Sequence, residues 1–408
     1  MTGVTPSRRP QAGRRGTLAD WLDRHKADVA WLAVVGVVYG VTTIAVAIGH
    51  PEYATDRAMT IATSMAHGSL DSTLPPGSLD TVTVGDVTYQ VISPLPLLPY
   101  LAFVPFSWLW ESSRWIVSSG IGIAAAWMTL PLARRYGPGG PATWWLAVLG
   151  AFGTLLWTQS ISGNFYYLAH VEATAFALAA LLEWRGRRRP WVVGLTIAMA
   201  SLARPTLLVA AIPFGLALIA IDRRRLWTAV SFGFPLALAI LATAAYDIVR
   251  FGSPLETGYG IAVLQRQSLE EQRAKGIFSL RHLPDNLGLL VARGFDVRDR
   301  FPWLVPDPNG HSILLTSPAL LLAVRAGVRS RSAQVMWAAA LLVAIPVLLY
   351  YGGGGYRTYG YRYALDFMPF LLALVAIGAK RGFGRLAKAL IALSVGFVAY
   401  GVVWAVIG

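Results

Sequence analysis

The chain has 408 residues, of which 55% are hydrophobic and only 14% charged, more apolar surface than one soluble core could hide. Its formal charge of +14 sits in short basic clusters between apolar runs, the pattern set by membrane topology, so nucleic acid is not the expected partner. With no cysteine present, disulfides, thiolate zinc sites and cysteine nucleophiles are excluded, which leaves carboxylates, His, Arg, Tyr and Ser to carry any chemistry.

Residues 1–28 read as a basic cytoplasmic tail (Arg8, Arg9, Arg14, Arg15, Arg24, Lys26). The apolar run behind it, 29–48, is long enough to span a bilayer and has no small-residue cleavage site, so it reads as an uncleaved anchor. Further clusters follow at Arg134-Arg135, Arg185 with Arg187 to Arg189, Arg223 to Arg225, Arg325 with Arg329 and Arg331, and Lys380 with Arg381, Arg385 and Lys388. Keeping every cluster on the cytoplasmic side gives a path out through 29–48, back through 115–133, out through 141–160 and back through 167–182. The apolar stretch 190–221 has basic clusters at both ends and must be a hairpin, with Arg204-Pro205 at its outer turn. The path then runs out through 226–246, back through 312–324, out through 333–351, back through 363–379 and out through 386–406. The expectation is an all-α polytopic membrane protein of about eleven transmembrane helices filling 29–408, with a cytoplasmic N-terminus. The segment 94–110 carries prolines at 94, 96, 99 and 105 and reads as a re-entrant or surface-lying helix on the outer face rather than a span. Two outer loops, 49–114 and 247–311, are too long to be mere connectors and are where function should lie.

Four places in the chain could carry chemistry. At the start of the first outer loop, Asp56 suits either a general base on an acceptor hydroxyl or an N-cap of a helix beginning at Arg57, with Glu52 as a reserve base. Arg204 is the sole charge in its apolar run; at that depth it either holds a phosphate, pairs with Glu172 or Asp247, or snorkels to headgroups. His170 and Glu172 could form an acid/base pair or part of a divalent-cation site, although two ligands make a weak metal case. The stretch GGGGYRTYGYRYALD (352–366) combines a run of four glycines with Tyr356, Tyr359, Tyr361 and Tyr363 and with Arg357 and Arg362. That surface suits a sugar stacked on an aromatic ring with its phosphate held by arginine. No Walker, dinucleotide, HExxH or GxSxG motif is present, so nothing points to ATP hydrolysis, hydride transfer or serine or zinc proteolysis.

Several motifs occur in a recognisable order: TDR (55–57), SMAHGSLD (64–71), YQVISPLPLLPYLAFVPF (89–106), SLARPT (201–206), RFGSPLETGY (250–259), LLTSPALLL (314–322) and YGYRYALDFMPFL (359–371). Together they resemble the GT-C superfamily of membrane glycosyltransferases, in the bacterial branch related to protein mannosyltransferases and the aminoarabinose transferases of lipid A. The resemblance implies an outer-face cavity, juxtamembrane helices in the first loop, and inverting transfer of a sugar from a polyprenyl-phosphate donor to an acceptor glycan, lipid or protein. It implies Asp56 as the base and Arg204 and Arg362 as ligands of the donor phosphate; from the residues themselves, Arg357 is a further phosphate candidate, and Tyr356, Tyr359, Tyr361, His170 and Glu172 are candidates for binding the sugar or acceptor. Asp56 is followed by Arg57, where the superfamily often has a second acidic residue. The expected setting is a bacterial plasma membrane; the competing readings are a transporter or flippase of lipid-linked sugars and a non-catalytic membrane accessory protein.

Overall fold

The computed structural model describes residues 18–49, 57–354 and 358–407. It is mostly helical. Helix α1 (Leu18–Gly49) is continuous over 32 residues, its sequence containing no proline to break it. The first outer loop holds α2 (Arg57–Ala66) and a hairpin of β1 (Thr81–Val84) with β2 (Val87–Gln90), paired from Thr81 opposite Gln90 to Val84 opposite Val87. Its two-residue turn begins at Gly85, whose φ of +60° is one a side chain rarely adopts.

The segment expected as a surface helix becomes two 3-10 pieces, Leu95–Phe103 and Ser107–Leu109. Prolines at 94, 96 and 99 remove the amide donors an α-helix needs there, so the tighter and shorter form wins. Leu97 and Tyr100 on this piece pack against Ala58, Met59 and Ile61 of α2, forming a small core of their own.

The chain continues through α3 (Trp110–Tyr136), α4 (Pro141–Phe152), α5 (Leu156–Ser160), α6 (Phe165–Arg185), α7 (Pro190–Ala203), α8 (Ala211–Ile221) and α9 (Arg225–Phe251). The second outer loop carries α10 (Gln267–Arg273), α11 (Leu283–Val291) and a short hairpin of β3 (Asp296–Val297) and β4 (Leu304–Val305). Last come α12 (Ile313–Thr316), α13 (Arg331–Leu349), α14 (Met368–Ala379) and α15 (Arg385–Ile407).

Among the described residues, six helices are long and apolar enough to cross a membrane: α1, α3 with the turn before it, α6, α9, α13 and α15. The other five segments expected to cross are shorter or broken, so length and composition carry six crossings rather than eleven. Gly153 ends α4, Pro205 ends α7, and Pro318 divides α12 from the 3-10 helix Pro318–Ala326. Helix α14 has 12 residues, about 18 Å of rise against a hydrocarbon thickness of about 30 Å.

Burial is inverted relative to a water-soluble domain. Helices α6 and α14 are enclosed on nearly all sides, whereas the outward faces of α1 (Val37, Val41, Ile44, Ile48) and α9 (Phe234, Leu238, Leu241) expose large apolar side chains. Contiguous apolar faces of that size mark contact with lipid or protein.

The basic clusters gather at one end of the bundle. Arg134 meets Asp28 at 2.5 Å, Arg135 donates to the Leu182 carbonyl, Arg331 donates to the Ala217 carbonyl at 2.9 Å, and Gly327 lies against Arg381. Both long loops, by contrast, emerge where α1, α3 and α9 have their other ends, and there Gly49 of α1 abuts Val406 of α15.

Candidate functional site

At the end remote from the basic clusters, the start of α6, the turn after α7, the stretch between α13 and α14 and both long loops converge around Tyr363. Asn164 caps α6 by accepting the Tyr166 amide at 2.9 Å, which fixes Tyr166, Tyr167 and His170 on its first two turns. Pro205 forces the residue before it out of helical geometry, and Arg204 accordingly adopts φ −139°, ψ 102°. That bend turns its guanidinium inward.

Arg204 is thereby paired with Asp366. Its Nε lies 3.2 and 3.3 Å from the two carboxylate oxygens and its Nη2 3.2 Å from Oδ2. Thr206 donates to Oδ2 at 2.7 Å and the His170 ring meets Oδ1 at 2.7 Å. Asp366 is completely buried, so its charge is balanced by hydrogen bonds from three separate elements, as a carboxylate in that position requires. Of the partners considered for Arg204 from sequence, Glu172 does not take it and Asp247 is bound to Arg250 at 2.7 Å.

Arg362 begins the 3-10 helix Arg362–Asp366. Its guanidinium lies 5.2 Å from the Tyr167 ring centre and 5.1 Å from that of Tyr363, and the Arg204 guanidinium lies 5.2 Å from the same Tyr363 ring. Arg362 makes no ion pair among the described residues, and its Nε is buried without a hydrogen-bond partner. A planar cation held between aromatic rings with a free donor is suited to a phosphate oxygen.

Asp80 stands across from it. The residue precedes β1 with a φ of +57°, uncommon outside glycine though tolerated by Asp. Three bonds hold it: its amide donates to the Val263 carbonyl at 2.9 Å, and its carbonyl accepts from the Val91 amide and from Gln90 Nε2, both at 2.8 Å. Burial pushes the Asp80 carboxyl above the ordinary carboxylate value, outweighing the opposing pull of the nearby Tyr166 phenol and of the Arg362 and Arg57 charges. Tyr259 from the second loop sets its ring 6.2 Å from that of Tyr350, which in turn lies 5.9 Å from the ring of Tyr363. Arg250 ties the loops together from behind, its Nη1 donating to the Gln90 carbonyl at 3.1 Å.

The residues singled out from sequence are distributed as follows. Arg204, Arg362 and His170 come together around Tyr363 and Asp366. Glu172 is two positions past His170, about 200° round the helix, and is buried with one oxygen unpartnered, so the two do not form a pair. No group of three His, Asp or Glu residues among the described residues could hold a metal ion. Tyr361 is buried against Tyr363, with ring centres 6.1 Å apart. Tyr359 points away, donating to the Phe397 carbonyl and packing beside His311. Asp56, Glu52, Tyr356 and Arg357 lie outside the described residues.

Sequence reasoning missed Asp80, Gln90 and Tyr166, and passed over Asp366 within a stretch it did single out for its tyrosines, Tyr363 among them. A charge count could have found Asp366, the carboxylate next to an apolar span that Arg204 needs. Asp80 had only the hairpin signal of Val84-Gly85-Asp86-Val87 beside it. Comparison with protein-family models, with curated proteins and with solved structures finds no match for this chain.

Proposed function

We propose that the chain is a multi-pass protein of a bacterial plasma membrane, with its N-terminus cytoplasmic, about eleven membrane-embedded segments and a GT-C-like architecture. In this reading it moves a sugar from a polyprenyl-phosphate donor to an acceptor hydroxyl on the outer face, with inversion. The observation that carries the reading is the pair Arg204 and Arg362 against one tyrosine ring, at the meeting point of the two long loops and away from the basic end. Arg362, stacked on tyrosines with an unpartnered buried Nε, in a chain with extensive apolar outer faces, fits a phosphate whose remaining parts are a sugar and a lipid.

The acceptor oxygen attacks the anomeric carbon and forms the new glycosidic bond, while the bond from that carbon to the phosphate oxygen breaks and the polyprenyl phosphate keeps the electron pair. Asp56, nominated by the resemblance, takes the acceptor proton. Arg362 stabilises the charge that grows on the leaving phosphate, and Arg204, whose charge is largely met by Asp366, fixes the ring of Tyr363.

The test is to incubate purified full-length protein in lipid with radiolabelled polyprenyl-phosphate hexoses and pentoses and with membrane acceptors. Release of polyprenyl phosphate with label passing to an acceptor supports the reading. Donor movement between leaflets without cleavage would replace it with a flippase.

A further inference from the structure

Close to the residues gathered around Tyr363 is a group that a phosphate site alone does not require, the carboxylate of Asp80, tied through Gln90 to Tyr166. Asp80 would repel a phosphate at Arg362 across the same space, so its presence is useful only if the ligand offers hydrogen-bond donors beside its phosphate. Its surroundings are built with a direction. Gln90 Nε2 donates both to the Asp80 carbonyl and to the Tyr166 phenol oxygen, each at 2.8 Å; a carbonyl can only accept, which fixes the orientation of the Gln90 amide. With its oxygen accepting from Gln90, the Tyr166 phenol keeps its own proton to offer, and the Asp80 carboxylate lies close enough to interact with it. One phenol cannot satisfy two carboxylate oxygens, which between them accept about four hydrogen bonds. Asp80 makes no ion pair among the described residues, and Gln90 Oε1 beside it is buried with no partner. Acceptor capacity is therefore concentrated around Asp80 and Gln90, within electrostatic reach of Arg362.

We propose that Asp80, oriented by Gln90 and Tyr166, is the sugar-recognition residue of this site, accepting hydrogen bonds from free hydroxyls of the sugar carried on the donor phosphate. This rests on the glycosyl-transfer reading and deepens it: the ligand is a polyhydroxylated sugar phosphodiester rather than a bare lipid phosphate. The left-handed backbone at Asp80 and its bond to Val263 of the second loop hold the carboxylate at one position, as selection among similar sugars demands.

The test uses the full chain and the best donor of a polyprenyl-phosphate hexose and pentose panel, together with the singly deoxygenated forms of that donor. Transfer and binding are measured separately for wild type, Asp80→Asn and Tyr166→Phe. Against the full donor, Asp80→Asn loses about 30-fold in affinity and in kcat/KM, the scale of a hydrogen bond to a charged group, and Tyr166→Phe loses about fivefold. For at least one deoxy donor, wild type falls to the level of Asp80→Asn and the substitution has no further effect. Equal loss on every donor would make Asp80 merely structural and overturn the proposal, as would wild-type behaviour of both variants or no binding of any sugar donor. If donors bind with the hydroxyl-dependent penalty at Asp80 yet none is cleaved, sugar recognition stands and the transfer reading falls.

Discussion

Replacing Asp366 with Asn tests the network beneath the candidate site. The carboxylate is fully buried and receives His170 at 2.7 Å, Thr206 at 2.7 Å and Arg204 at 3.2 Å. Asn keeps the shape and one acceptor oxygen, so the His170 and Thr206 bonds are partly retained at about 1 kcal/mol each. What it removes is the charge opposing Arg204, whose side chain is 16% exposed. Breaking a buried ion pair from one side costs about 3–5 kcal/mol, and the residual exposure of Arg204 places this case toward the lower end. Removing the stranded cation as well should restore much of the loss, so Asp366→Asn with Arg204→Gln is expected to be more stable than Asp366→Asn alone by about 2 kcal/mol. The assay is unfolding of the purified protein in detergent at pH 7, comparing midpoints for wild type, both single variants and the double variant. If the double variant shows the sum of the single losses, the two residues are uncoupled and the ion-pair account is wrong.

Two further outcomes follow from the geometry. Arg362→Ala should raise the donor KM about 10- to 100-fold, the worth of a charge-assisted hydrogen bond to phosphate, and Arg362→Lys should not restore it, because lysine reproduces neither the stacking on Tyr167 and Tyr363 nor the planar fork; donor saturation curves check both. In the second outer loop, His311 is fully buried, neither ring nitrogen has a hydrogen-bond partner, and burial pushes its pKa down from 6.5 to about 4. The unfolded chain takes up this proton below about pH 6.5 and the folded one does not until about pH 4. Stability is therefore complete above pH 6.5 and declines as pH falls, by about 3 kcal/mol once pH is below 4. Melting midpoints taken from pH 7 to pH 4 should show that decline in wild type and a flatter profile in His311→Phe, whose ring suits the aromatic pocket of Phe295 and Tyr359.

Much of the scaffold was legible because charge and hydropathy act locally. The basic clusters read from sequence do gather at one end, as Arg134 with Asp28 and Gly327 with Arg381 demonstrate. The turn at Arg204-Pro205 was legible for the same reason, since a proline and a lone charge are both local signals. The broken helices were harder. Apolar content says that 312–324 is buried, yet Pro318 and the Ser317 before it decide that it forms two short pieces. Asp366 was visible as a residue but not as a partner, because His170, Arg204 and Thr206 lie 196, 162 and 160 residues from it in sequence. Asp80 was invisible for a related reason: the bond that fixes it runs to Val263, in the other outer loop, and nothing near position 80 encodes that meeting.

The central claim is transfer from a lipid-linked sugar by a carboxylate-assisted displacement, and it is tested most directly by one comparison. Membranes containing matched amounts of wild type and Asp56→Asn are given labelled sugar on defined polyprenyl-phosphate donors, and label entering acceptor is counted. The account predicts transfer by wild type and a loss of at least about 100-fold in Asp56→Asn, the scale of general-base assistance, with donor binding unchanged. Transfer that persists undiminished in the variant would contradict the assignment of the base, and bound donor that no acceptor draws label from would contradict the enzyme itself.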